Sequence, residues 1–315
     1  MIFSFDDTLK TNDNGQRQLL AKCLVMMNEK CHRIERGGFF FTFIENEILH
    51  TDYMGQMDIN QIKSNHNLFD VTTSDRLDYR SVKVGYGTDM CTPDELYVLL
   101  NEPSLVAVEN STNDGSVIRR WAESYGDEDN VGDLNKTVFE AIEENRVRFL
   151  HSGGGNATII KRIEDQLKVY GKYTQMKVTS VFDSDKSSIE DPGPNQALKD
   201  YLDENHYHYH CLVKREMENY FPLRVYQKCG LLNEEAEIPN YTEEEWDYVK
   251  IKEDVDKKPG EQPFLSYNKK ELPNLAARAK KKHFKQRIRH QQTYNSHYGE
   301  VDEIQHILLM IAKFV

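Results

Sequence analysis

No run of this 315-residue chain approaches the ~20 consecutive apolar residues needed to span a bilayer, which argues against a membrane partner. The opening Met1-Ile2-Phe3-Ser4-Phe5-Asp6-Asp7 has neither the basic segment nor the apolar core of a secretory signal. Cysteine is scarce: Cys23, Cys31, Cys91, Cys211 and Cys229 are scattered, form no CxxC pair and suggest no metal framework. These absences point to a reducing, cytoplasmic setting. No internal repeat stands out, and there is no G-x-x-x-x-G-K-[ST] loop.

Charge, by contrast, is plentiful and uneven. The net charge is -12, yet residues 268–290 hold nine Lys/Arg (Lys269, Lys270, Arg278, Lys280, Lys281, Lys282, Lys285, Arg287, Arg289) against the single acid Glu271. That segment is +8, so the remainder is -20. A basic arm on an acidic body suits contact with phosphates, and equally a solvated helix face.

Three zones follow from the patterning. Residues 1–100 combine a helix expected over 17–32, with Leu19, Leu20, Cys23, Leu24, Met27 and Cys31 on one face, and strand-like stretches such as Gly38 to Ile44. Thr92-Pro93-Asp94-Glu95 reads as a helix start. Residues 101–226 alternate strand and helix, which favours βαβ units and a mainly parallel sheet, hence an α/β class with an α+β N-terminal region. Residues 227–315 hold an acidic patch (Glu234 to Glu245), a Pro/Gly linker, the basic arm and a closing helix through Ile304, Leu308 and Ile311.

The chemistry concentrates in the middle zone. Val178 to Phe182 reads as a buried strand ending in Asp183-Ser184-Asp185-Lys186, and Ser104 to Val108 as another ending in Glu109. In open α/β sheets the active site lies beyond the C-terminal strand ends. Carboxylates crowded at one edge raise each other's pKa, and a divalent cation is the usual remedy. The expectation is a Mg²⁺ (or Mn²⁺) site with Glu109, Asp183 and Asp185 as ligands. Asp114 and Glu216-Met217-Glu218 are further candidates. Glu216 and Glu218 share a face in a strand but not in a helix, and Glu216 has a surface alternative in pairing with Lys214 or Arg215. Asp-Ser-Asp is also good turn chemistry. Gly154, in His151-Ser152-Gly153-Gly154-Gly155-Asn156, offers backbone N–H groups to a phosphate. Lys186, Lys214, Lys280, Lys281 and Lys282 are candidate phosphate contacts. His206, His208 and His210 alternate, as a metal site or as an edge with polar residues outward.

Glu109, the glycine-containing strand end after His151, Asp183-Ser184-Asp185 and Lys214-Arg215-Glu216-Met217-Glu218-Asn219-Tyr220-Phe221-Pro222 occur in this order. In this the middle zone resembles a Toprim domain, and the last stretch is similar to the closing motif of the OLD-family (overcoming lysogenization defect) endonucleases. The resemblance implies a metal-dependent nuclease acting on DNA or on tRNA/RNA in antiviral defence, with Glu109 serving in proton transfer. Where the family usually has glycine after its glutamate, this chain has Asn110, and Asp114 is the nearest following acid. The family usually carries an ATPase domain, for which 100 N-terminal residues are too few. A regulatory ATPase would therefore be a separate subunit, and a second copy of the chain is another candidate partner. The alternative is a non-catalytic Toprim-fold subunit that binds nucleic acid or docks in a defence complex. A primase lacks its zinc-binding cysteines here, and a topoisomerase its tyrosine-nucleophile domain.

Overall fold

The computed structural model describes residues 1–315 apart from 11–12, 31, 36, 38, 53, 70, 72–79, 127–131, 154–155, 234–239, 252–264, 289–292 and 297. The chain divides into two units: residues 1–104 with 170–177 and 312–315, and residues 105–169 with 178–311. It is an α/β protein with parallel sheets of three and four strands.

In the first unit β1 (Ile2–Phe5) lies between β2 (Arg33–Ile34) and β3 (Ser81–Val84), parallel to both. Helix α1 (Asn14–Glu29) starts and ends three residues before the expected bounds, and at its start Asp13 accepts a hydrogen bond from the Gln16 amide at 2.8 Å. The helix buries Leu20, Cys23, Leu24 and Met27 of the expected face; Leu19 is half-buried, and Cys31 lies outside the described residues. It packs against α2 (Pro93–Asn101), whose start is the capping box expected of Thr92 and Glu95. The Gly38 to Ile44 stretch is not a strand. Phe40–Glu45 is helical, and Phe39 stacks on Phe43 at 5.1 Å. A short apolar run has no period to separate strand from helix, and the four-residue spacing of two aromatic rings favoured the helix here.

Lys177 is only 4% exposed, and burial, reinforced by Lys30, pushes its ammonium down to about 7. An unfolded lysine keeps its proton to about 10.4. Between these values the unfolded state binds more protons, so stability rises with pH and the full penalty applies below pH 7. Lys177→Met is therefore expected to stabilise the protein at pH 7 by about 1–4 kcal/mol. Melting curves from pH 7 to 10 should show the difference shrinking as wild type sheds the proton.

In the second unit the sheet order is β5 (Val147–His151), β4 (Ser104–Val108), β6 (Val178–Phe182), β7 (His208–Cys211). Every residue of β4 and β6 is buried, as a continuous apolar run between helices requires. The surrounding helices include α3 (Asn113–Tyr125), α4 (Gly132–Glu143), α5 (Asn156–Tyr170) and α6 (Gln196–Glu204). After a 3-10 turn at Met217–Tyr220 come α7 (Leu223–Lys228), α8 (Glu243–Tyr248), α9 (Leu272–Arg278), α10 (Lys281–Ile288), the hairpin β8 (Tyr294–Ser296)–β9 (Gly299–Val301) and α11 (Glu303–Ala312).

The basic segment is no free arm. Leu272, Leu275 and Ala276 of α9 and Phe284 and Ile288 of α10 are buried, α9 packs along α3, and Trp121 meets Phe284 edge-on. The linker and half of the acidic patch lie outside the described residues. Among the described residues no helix is long and apolar enough to cross a membrane.

Candidate active site

β4 and β6 are parallel neighbours, so their C-terminal ends share one edge of the sheet. Glu109 and Asp183 each stand one residue beyond those ends. Asp114 joins them from the first turn of α3, its Oδ2 accepting from the Asn110 amide at 2.8 Å. The Asn110 side chain shapes the same corner, its Oδ1 accepting from the amides of Thr112 and Asn113, both at 3.0 Å. Asparagine in an Asx turn thus closes this corner. Gly115 is required for a different reason, since a Cβ there would stand 2.7 Å from the Phe149 ring. Its lack of a side chain lets α3 lie close to β5 and sets the depth of Asp114.

Glu216 is in extended backbone and Glu218 in the 3-10 turn that follows. The Met217 amide donates to Asp183 Oδ1 at 3.1 Å. Asn219 and Tyr220 anchor this turn rather than act. The Asn219 amide group donates to the carbonyls of Trp246 (2.7 Å) and Val249 (3.0 Å), and Tyr220 donates to Glu303 at 2.6 Å. Glu303, fully buried, also accepts from the Val213 amide at 2.7 Å and sits 2.9 Å from His210 Nε2.

At the centre of the carboxylates stands Lys269, its Nζ 3.4 Å from Glu109 Oε2 and 3.5 Å from Asp183 Oδ2. Asp114 and Glu218 also act on this ammonium, and together the acids hold its pKa well above the usual lysine value although burial opposes them. One ammonium does not balance so many acids. Burial drives Asp183 well above the carboxylate range, with Asp114, Glu109 and Glu218 adding to it against Lys269. Asp114 is pushed up to about 7, by burial first, and Glu216 likewise to about 7, by burial and then by Glu218. Two buried oxygens, Asp114 Oδ1 and Glu218 Oε2, have no hydrogen-bond partner among the described residues, while Glu218 Oε1 accepts from Tyr267 at 2.8 Å.

The structure therefore gathers Glu109, Asp114, Asp183, Glu216 and Glu218. Asp185 stands beside them: its backbone is left-handed (φ 54), its amide donates to the Arg215 carbonyl at 3.1 Å, and its charge acts on Glu216. Lys186 is half-buried next to it. Lys214 is not a phosphate contact. It is completely buried and paired with Asp247, which also takes Arg287, so a position that reads as surface charge is internal. Gly154 and Arg289 lie outside the described residues. Lys280 and Lys282 are exposed and Lys281 half-buried. With the exposed Arg224 and Lys228 of α7, Lys280 and Lys282 surround the buried His283, which burial and these four cations hold at about 4. The alternating histidines form no common site. His206 precedes the strand with φ 55, His208 is exposed, and His210 is buried against Glu303.

Lys269 and Tyr267 escape sequence reasoning because they come from a segment about 50 residues beyond the last acidic motif. The only local hint was the basic run, in which Lys269 is one cation among nine. Among the described residues no group of three or more His, Cys, Asp or Glu side chains is placed to hold a metal ion. The donor set nonetheless fits a hard divalent cation: all oxygen, surplus in negative charge, with two unpartnered buried oxygens and a lysine in the position of a cation. No family model, no curated protein and no solved structure matches this chain.

Proposed function

We propose that this protein is a cytoplasmic, Mg²⁺- or Mn²⁺-dependent nuclease of Toprim type, similar to the OLD-family endonucleases and acting as an antiviral defence effector under a separate ATPase. The observation that supports this reading most is the gathering of Glu109, Asp114, Asp183, Glu216 and Glu218 at the C-terminal edge of a parallel sheet around one ammonium. Glu109, Asp114, Asp183 and Glu218 would hold the cation, with Asp185 beside them. A divalent cation bound there supplies activation of the attacking water and stabilisation of charge on a phosphodiester. Glu216, pushed up to about 7 by burial and by Glu218 and not among the proposed cation ligands, can take up or release a proton at neutral pH. Arg224, Lys228, Lys280 and Lys282 offer phosphate contacts on the surface.

The test is cleavage of supercoiled DNA and of total tRNA in Mg²⁺, Mn²⁺ or EDTA. Cleavage that EDTA abolishes, in either substrate, is the expected result. The reading fails if a preparation mixed with candidate ATPase partners still cuts neither. The second reading, a non-catalytic subunit, draws on Lys269 itself, since an ammonium bound to Glu109 and Asp183 makes a folded site without metal.

A further inference from the structure

Beside the acidic loop lies a separate cavity of about 680 Å³, within the size of small-molecule sites. None of Glu109, Asp114, Asp183 or Glu218 lines it. Its walls include Lys186, Lys199, Cys211, Tyr248 and Tyr294. Lys186 directly follows Asp185, and its carbonyl accepts from the Arg215 guanidinium at 3.1 Å, so the cavity borders the loop that carries the second aspartate.

The charge in the cavity is arranged. Asp247 and Arg287 of its lining are paired with each other, and Asp247 also pairs with the buried Lys214 behind them. Lys186 and Lys199 are half-buried, and among the described residues neither ammonium meets a carboxylate within ion-pair distance. Both act electrostatically on Cys211, which lines the same cavity and whose sulfur donates to the Leu212 carbonyl at 3.9 Å. Lys186 acts on Asp191 without forming a close ion pair, and two half-buried ammonium groups outside any close ion pair suit an oxyanion. Tyr294 stacks on His306 at 4.2 Å, and with the half-buried Tyr248 it gives the cavity an aromatic lining. Glu243 and Glu244 line the cavity from exposed positions, where they can accept hydrogen bonds from a base or ribose and would repel a second phosphate.

One phosphate, one flat ring and polar acceptors describe a single nucleotide. Resting on the nuclease reading above, we propose that this cavity is a subsite for one unstacked nucleotide next to the scissile phosphodiester. The substrate is accordingly single-stranded or looped nucleic acid, because a base within a continuous duplex would have to be unpaired and extruded to enter. Lys186 and Lys199 take the phosphate, and Tyr248 and Tyr294 take the base.

The test is binding of a fluorescein-labelled single-stranded 12-mer and of its fully paired duplex, followed by anisotropy in EDTA so that no cleavage is needed. The single strand is expected to bind about tenfold tighter than the duplex, and Lys199→Gln and Tyr248→Ala each to weaken it roughly tenfold, in the range of a lost base stack. Melting curves establish that both variants are folded. In unaltered protein, 5′-AMP should slow alkylation of Cys211 by N-ethylmaleimide while leaving Cys229 unaffected, which keeps the idea testable should either variant unfold. Equal binding of duplex and single strand, or variants and Cys211 indifferent to nucleotide, would overturn it. Single-strand binding that depends on Lys199 and Tyr248 in a protein that cuts nothing would uphold the subsite and sink the nuclease reading alone.

Discussion

Asp183→Asn should abolish metal-dependent cleavage and, in the same protein, raise the melting temperature in EDTA. Asp183 is almost completely buried, shares its surroundings with Asp114, Glu109 and Glu218, and has one ammonium near it. Removing one negative charge from a surplus relieves both desolvation and repulsion, a gain of about 1–3 kcal/mol at pH 8. Asn retains the oxygen that accepts from the Met217 amide, so the turn bearing Glu216 and Glu218 keeps its anchor. The lost cation ligand would cost several kcal/mol of transition-state stabilisation, roughly a thousandfold or more in rate. The stability gain is the informative half. A merely structural aspartate would lose stability on substitution, so a variant that melts lower than wild type in EDTA would count against a carboxylate site in want of a cation.

The pH dependence has the same origin. Asp114 and Glu216 titrate at about 7 in the folded protein, well above the carboxylate values of an unfolded chain. Between roughly pH 4 and 7 the folded state therefore holds protons that the unfolded state has released. Stability falls as pH rises through that window, and the loss is complete above it. Metal-free wild type should melt higher at pH 5 than at pH 8. Asp114→Asn should flatten that difference, and Mg²⁺ should restore stability at pH 8, where the carboxylates are charged and ready to bind it.

Lys269→Met is expected to have the opposite sign. It removes the only ammonium that, among the described residues, contacts Glu109 and Asp183, and leaves the carboxylates facing one another. Breaking a buried charge pair from one side costs about 3–5 kcal/mol. Part of that cost is recovered by protonation, so the deficit should be largest at pH 8 and smaller at pH 5. Millimolar Mg²⁺ or Mn²⁺ should recover more stability in this variant than in wild type, because the ion enters a place the ammonium no longer contests. Thermal melts of both proteins with and without metal decide it. A variant as stable as wild type at pH 8 without metal would show that Lys269 does not hold the cluster together.

The central strands and the positions of their ends are legible in the order of residues alone. Val178 to Phe182 and Ser104 to Val108 carry only small hydroxyl residues (Ser104, Thr179, Ser180) among apolar ones, which suits a strand buried on both faces, and each is punctuated by a carboxylate. The caps at Asp13 and Thr92 and the apolar face of α1 were equally local, and local chemistry is legible without a fold. What each charge meets is settled only by folding. Lys214 reads as a surface cation, yet it is sealed against Asp247 by a helix more than 30 residues later in the chain. His210 reads as one of three alternating histidines, yet α11 brings Glu303 to it and buries it. Lys269 reads as part of a solvated basic run, yet it fills the centre of the acidic site, and Asp114, a minor acid in the sequence, is at that centre too. Burial and pairing depend on contacts between residues distant in the chain. A charged side chain has no sequence period that reports its partner, so only the folded chain assigns one.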